Sequence, residues 1–198
     1  PFNRCICRAD WLKEFNMSTP TTIAEYEAYF DAVLANKPGV TPFYVSLSDS
    51  SQQVLLMGAF DMYCNWYQID GQAHHYANEP AYKDYLELMN KWYQKGYMSK
   101  DLATLTNNEV YALFDGGQLA CYTGNVDQAY DRLLSLENVE QTPMPYMRKE
   151  ADSRLHTDIS SAPVSSGLAY VSVITTNCKD VEAAVQLLNY SYTWEGAV

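Results

Sequence analysis

At 198 residues, 47% of them hydrophobic and 19% charged, the chain has enough apolar mass for a sizeable core and too little charge for intrinsic disorder. Thirteen Lys plus Arg against 24 Asp plus Glu leave a formal charge of −11, which repels phosphate backbones and anionic bilayers and argues against nucleic acid as a partner. No run of about 18 apolar residues occurs, so no segment is expected to cross a bilayer as a helix.

Residues 4–7, RCIC, read as a short strand feeding a helix over RADWLKEF. The next helix is marked at its start by Thr22 as N-cap, with Glu25 three residues on to close a capping box. Ile23, Tyr26, Phe30, Val33 and Leu34 follow at helical spacing until Pro38 and Gly39 end the run. TPFYVSL is a buried-strand candidate, and polar SDSSQQ then leads into the apolar helix VLLMGAF. Asp70-Gly71, set between two short runs in WYQIDGQAHHY, is a hairpin signal. EPAYKDYLELMNKWYQKGYM reads as a helix over 79–95 whose apolar stripe, Tyr82, Leu86, Met89 and Tyr93, is expected to pack on the sheet. A further helix, the turn DGGQ, the buried strand LACYT and a helix opening at Gly124 and Asn125 come next. VEQTPMP is a strand, residues 147–166 a polar loop, GLAYVSVITT a strand and KDVEAAVQLLNYSY the last helix. Alternating helices and strands predict an α/β fold with a central sheet flanked by helices.

Tyrosine stands out at 17 residues against 6 Phe and 4 Trp. A ring with a polar handle suits both the wet edge of a core and a ligand cleft, and core edges are the first expectation for any single Tyr. Cys5, Cys7, Cys64, Cys121 and Cys178 form an odd set without CxxC or Cys/His zinc spacing, so buried thiols are expected rather than a metal site or a disulfide framework. His74, His75 and His156 form no metal-ligand pattern, and GxSxG, GxxxxGK[ST] and GxGxxG do not occur. A binding protein without cofactor is favoured over an enzyme; the alternatives are a carbohydrate-active hydrolase, needing a carboxylate pair about 5 Å apart, and a protein-interaction domain.

Four stretches, DWLKEFNMSTPTTIAEYEAYF, YKDYLELMNKWYQKGYMSKDLAT, ALFDGGQLACYTGN and ITTNCKDVEAAVQLLNYSYTWEGAV, occur in an order that resembles the extracellular solute-binding proteins of carbohydrate ABC importers, with an organisation similar to maltodextrin-binding protein. The resemblance implies one lobe of a two-lobed fold of the type II periplasmic-binding class, in which hinge closure traps a solute between lobes. It implies that residues 1–198 are an excised second lobe, entered by a hinge strand at 4–7 and left by one at 168–175, the two lying side by side. It also implies a polar solute, a mono- or oligosaccharide, with permease subunits as partners, an extracellular setting and a lipid anchor to the membrane. Relatives carry a longer Asp- and Asn-rich insert before the PFYVSL strand; here NKPGVTPF is short, and no calcium site is expected. Segments expected to reach the cleft nominate Asp49 and Gln52 as hydrogen-bonding groups, Tyr63 and Trp66 as stacking surfaces, and Tyr122, Asn125 and Asp127 at a helix N-terminus. An aromatic pairs with a sugar's C–H face, and an Asp, Asn or Gln with its hydroxyls.

Overall fold

In a computed structural model, which describes residues 3–48, 50–63, 65–126, 129, 132, 139–154 and 174–190, the RCIC strand runs Asn3–Arg8 (β1) and passes directly into α1 (Ala9–Glu14). Then come α2 (Ile23–Asn36), β2 (Thr41–Tyr44), α3 (Ser50–Met57), the strands β3 (Trp66–Ile69) and β4 (Gln72–His75), α4 (Ala81–Gln94), α5 (Asn107–Asp115), β5 (Leu119–Asn125), β6 (Gln141–Pro143) and α6 (Val181–Tyr190). The chain divides into two units, Pro1–Ser161 and Ala162–Val198. In the second, α6 opens with Asp180 Oδ1 accepting the Ala183 N–H at 2.9 Å and leaves Val181, Val185 and Leu187 exposed. Most of the strand expected at 168–175, and with it the expected neighbour of β1, lies outside the described residues. No helix among the described residues is long and apolar enough to cross a membrane.

In the first unit the sheet order is β2-β5-β1-β6, with β1 antiparallel to both neighbours and β2 parallel to β5. This is the mixed sheet flanked by helices that the alternating pattern implies. Cross-strand partners share a face, so Cys5 and Cys7 of β1 lie on the side of Thr123 and Cys121, where α2 and α3 pack. Tyr26 of α2 meets the Cys5 thiol there, and Gln52 of α3 meets Thr123. Ile6 and Tyr122 share the opposite face, where Phe114 of α5 lies edge-on to Tyr122 at 4.9 Å.

The cysteines depart from the sequence reading. Cys7 and Cys121, register partners 114 residues apart with Cα atoms at 4.3 Å, form a disulfide in the buried sheet. Register and sheet order bring them together, and neither is visible in local spacing. Cys5 is a free thiol 3.6 Å from the Cys7 sulfur, and burial pushes its pKa up.

The core is aromatic. Phe30, Phe43, Trp92 and Tyr97 meet at centroid separations of 5.3–6.4 Å, and their polar atoms reach the surface: Trp92 Nε1 donates to Glu27 at 2.8 Å and Tyr97 OH to Asp31 at 2.6 Å. Tyr26 OH donates to the Pro145 carbonyl, Tyr44 OH to Leu105 and Tyr85 OH to Gln53. Tyrosine is used in place of Phe where the ring is buried but the para position meets an acceptor. In α4 the buried stripe is Tyr85, Met89 and Trp92, whereas Leu86 is 47% and Tyr93 42% exposed, so the expected packing of Tyr82, Leu86, Met89 and Tyr93 on the sheet is corrected to a face rotated by one residue. Trp92 and Tyr85 bury the larger apolar areas and set that rotation. A similar shift in α2 buries Tyr29 and leaves Leu34 at the surface.

Local signals at turns and caps hold. Asp70 and Gly71, with φ of 51° and 80°, join β3 to β4 in the two-residue turn that needs left-handed backbone at both positions. Thr22 and Thr106 both close capping boxes, with Glu25 and Glu109. Backbone N–H donation from Thr21 and Thr106 respectively is the main cause holding these two carboxyls below the usual range. Thr22→Ala is expected to lower the unfolding free energy by about 1 kcal/mol in urea melts. Because the folded pKa values are lowered, the stability from both boxes is present above the ordinary carboxyl range near pH ~4.3 and is lost as pH falls through the folded values. A Thr22→Ala loss as large at acid pH as at pH 7 contradicts this.

Candidate functional site

The carboxyl ends of the parallel strands β2 and β5 and the start of β1 lie along one edge, since Asn3 opposes Asn125. In open α/β sheets ligands sit outside such carboxyl ends. Beyond β2, Ser46 Oγ lies 3.2 Å from Ser48 Oγ, and Leu47 and Ser48 are exposed. Gln52, buried, accepts the Thr123 hydroxyl at 2.9 Å and ties α3 to the end of β5. Gln53 donates to the Leu47 carbonyl at 2.9 Å and accepts from Tyr85 at 3.1 Å, so α4 helps fix the loop. A Cβ at Gly124 would lie 2.9 Å from the Tyr122 ring, which restricts that position to glycine. On β1, the Arg4 guanidinium stacks over Tyr146 at 4.1 Å.

Of the residues nominated from sequence, Gln52 and half-buried Asn125 share this edge. Tyr122 does not present a surface: its ring is packed between Phe114 and Tyr111, burial raises its pKa, and its hydroxyl has no partner among the described residues. Strand alternation sends it into the core, one layer below the edge. Tyr63 is half-buried against Tyr67, and Trp66, 70% exposed, stands at the foot of the hairpin edge-on to His75 at 4.9 Å. Asp49 and Asp127 lie outside the described residues.

Sequence reasoning missed a groove of about 560 Å³ that starts at Leu47 and Gln53 and runs along α4 to the segment 98–103. That segment follows Met98, which pairs in parallel with Phe43 and so leads past the same edge. The signal was present in the chain, because the stripe Tyr82, Leu86, Met89 and Tyr93 lines this groove. The Tyr82 ring lies edge-on to Tyr76 at 5.2 Å and stacks with Tyr85 at 5.8 Å. A second groove, of about 450 Å³ between α2 and α4, is rimmed by Glu27, Asp84, Glu87 and Glu150, with Lys91 held by Glu27 at 2.6 Å.

No protein-family model matches the chain. Among solved structures it resembles the alginate-binding protein AlgQ2, with a TM-score of 0.63 and 18% identity over 98% of this chain and 42% of that one. It also resembles the sugar transporter BL01359 of Bacillus licheniformis, solved in complex with stachyose, with a TM-score of 0.61 and 11% identity over 98% of this chain and 50% of that one. The chain shares its fold with part of each of these two solved proteins. In sequence it is 26% identical over 154 residues to the polygalacturonan/rhamnogalacturonan-binding protein YtcQ of Bacillus subtilis (strain 168), covering 71% of this chain. The chain spans 31% of that protein's length. The resemblance read from the order of the four stretches is therefore matched by both the structural and the sequence relatives.

Proposed function

We propose that this chain is the second lobe of the solute-binding receptor of an ABC importer, and that it supplies one wall of a cleft for an oligosaccharide. The observation that carries this reading is the 26% identity over 71% of the chain to a protein named for binding polygalacturonan and rhamnogalacturonan. The open edge beyond β2 and β5, with Gln52 and Asn125 on it and the exposed Trp66 ring on the hairpin, supports it chemically. Asp49 and Asp127 remain part of the proposed set. Permease subunits are the proposed macromolecular partners, and a lipid anchor the link to the membrane. The Cys7–Cys121 disulfide suits an extracellular or periplasmic site, where oxidised pairs persist.

The test is calorimetric titration of the receptor carrying this chain with pectic oligosaccharides. Trp66→Ala combined with Asn125→Ala is expected to weaken binding 10-fold or more, because a lost stacking face and a lost hydrogen bond are each worth about 1 kcal/mol. Unchanged affinity in a folded double variant sinks this site. Recovery of shortened sugars after incubation overturns the binding-protein reading in favour of a hydrolase.

A further inference from the structure

Resting on that receptor reading, we infer that the tyrosine groove along α4, which adjoins the strand-end edge at Leu47 and Gln53, takes a sugar unit bearing a carboxylate, a hexuronate. The groove's charge is the first reason. In a chain with 24 acidic residues against 13 basic, none of its lining residues is acidic, and Lys100 stands among them. Lys13, Lys37, Lys83, Lys91 and Lys95 each face a carboxylate; Lys100, like Lys149 and Lys179, is exposed and has no ion pair among the described residues, and of these three only Lys100 lines this groove. The Asn90 side chain of α4, which also lines the groove, has no hydrogen-bond partner among the described residues either. An ammonium and an amide lining one groove match a carboxylate and a ring hydroxyl.

The groove's surface is the second reason. Tyr82, Leu86 and Tyr93 occupy a helical stripe that ordinarily packs on a core, yet here they wall a cavity of about 560 Å³, within the range of small-ligand sites. Leu86 and Tyr93 stay 47% and 42% exposed, so apolar surface is held open to water beside polar groups. The rings offer flat faces to sugar C–H bonds, and the tyrosine hydroxyls can donate or accept. The groove between α2 and α4 differs: its Lys91 is held by Glu27, and its Lys149 shares the lining with Glu27, Asp84, Glu87 and Glu150, which repel a carboxylate.

All the groove's lining residues belong to the unit Pro1–Ser161, so the isolated chain is expected to bind there without the rest of a receptor. The experiment titrates the isotopically labelled chain with digalacturonate and, separately, with the neutral galactose disaccharide, following backbone amide shifts. Digalacturonate is expected to saturate shifts at Tyr82, Asn90 and Lys100 and to weaken as salt rises; the neutral sugar is expected to bind at least 10-fold more weakly. Lys100→Gln, at an exposed position with no ion pair among the described residues, is expected to remove that preference, while Lys100→Arg keeps it. Equal binding of digalacturonate by wild type and Lys100→Gln overturns the proposal. Shifts at Asn125 and Trp66 without shifts in the groove overturn it and leave the receptor reading standing. Absence of any saturable shift overturns the groove as well, and the calorimetric titration of the receptor then decides the strand-end cleft separately.

Discussion

Replacing Cys7 and Cys121 together by alanine is expected to lower the unfolding free energy by about 2–5 kcal/mol and the melting temperature by roughly 4–20 °C. The bond closes a loop between residues 114 apart, at the long end of what a domain offers, and it does so between two strands already in register. Its main effect falls on the unfolded chain, whose freedom it restricts; the folded sheet keeps its hydrogen bonds without it. Both sulfurs are fully buried, so reductant added to the folded protein is expected to act only as fast as the chain opens. Alkylation in denaturant, with and without prior reduction, checks the pairing directly. The unreduced sample is expected to carry two fewer labels across the five cysteines, and equal labelling rules the disulfide out.

What the sequence disclosed is what depends on neighbours in the chain. Thr22 with Glu25 marks a helix start because the capping box is closed within four residues, and Asp70-Gly71 marks a hairpin because both backbones must turn left-handed there. The Cys7–Cys121 pair was invisible because it is a product of sheet order and register. Tyr122 shows the same limit in the site. Leu119–Gly124 is buried on both faces without alternation, so the pattern does not tell which face carries Thr123, which reaches Gln52, and which carries Tyr122, which packs on Phe114. Gln52 and Asn125 were nominated from their place in the chain after β2 and at the end of β5, and the fold puts both near the carboxyl ends of those strands. Lys100 and Asn90 were not nominated, because α4 and the segment 98–103 come to line one groove only in the folded chain.

Helix α4 provides the largest single-residue test. Trp92→Ala is expected to cost about 3–5 kcal/mol, since it empties the volume between Phe30 and Phe43 and removes the Nε1 donor from Glu27. Leu86→Ala, on the stripe that periodicity alone nominated for the core, is expected to change stability by no more than about 0.5 kcal/mol, because that side chain already meets water. The two stripes overlap: Tyr85 and Leu86, like Trp92 and Tyr93, are adjacent in sequence and about 100° apart around the helix. Periodicity locates an apolar arc of that width but not its centre, and the centre is fixed by which rings fill the space above β2. Chemical denaturation of both variants at equal m-value separates the alternatives. A Leu86→Ala loss of 2–5 kcal/mol, the usual range for a buried leucine, would restore the face read from sequence and close the groove that Lys100 borders.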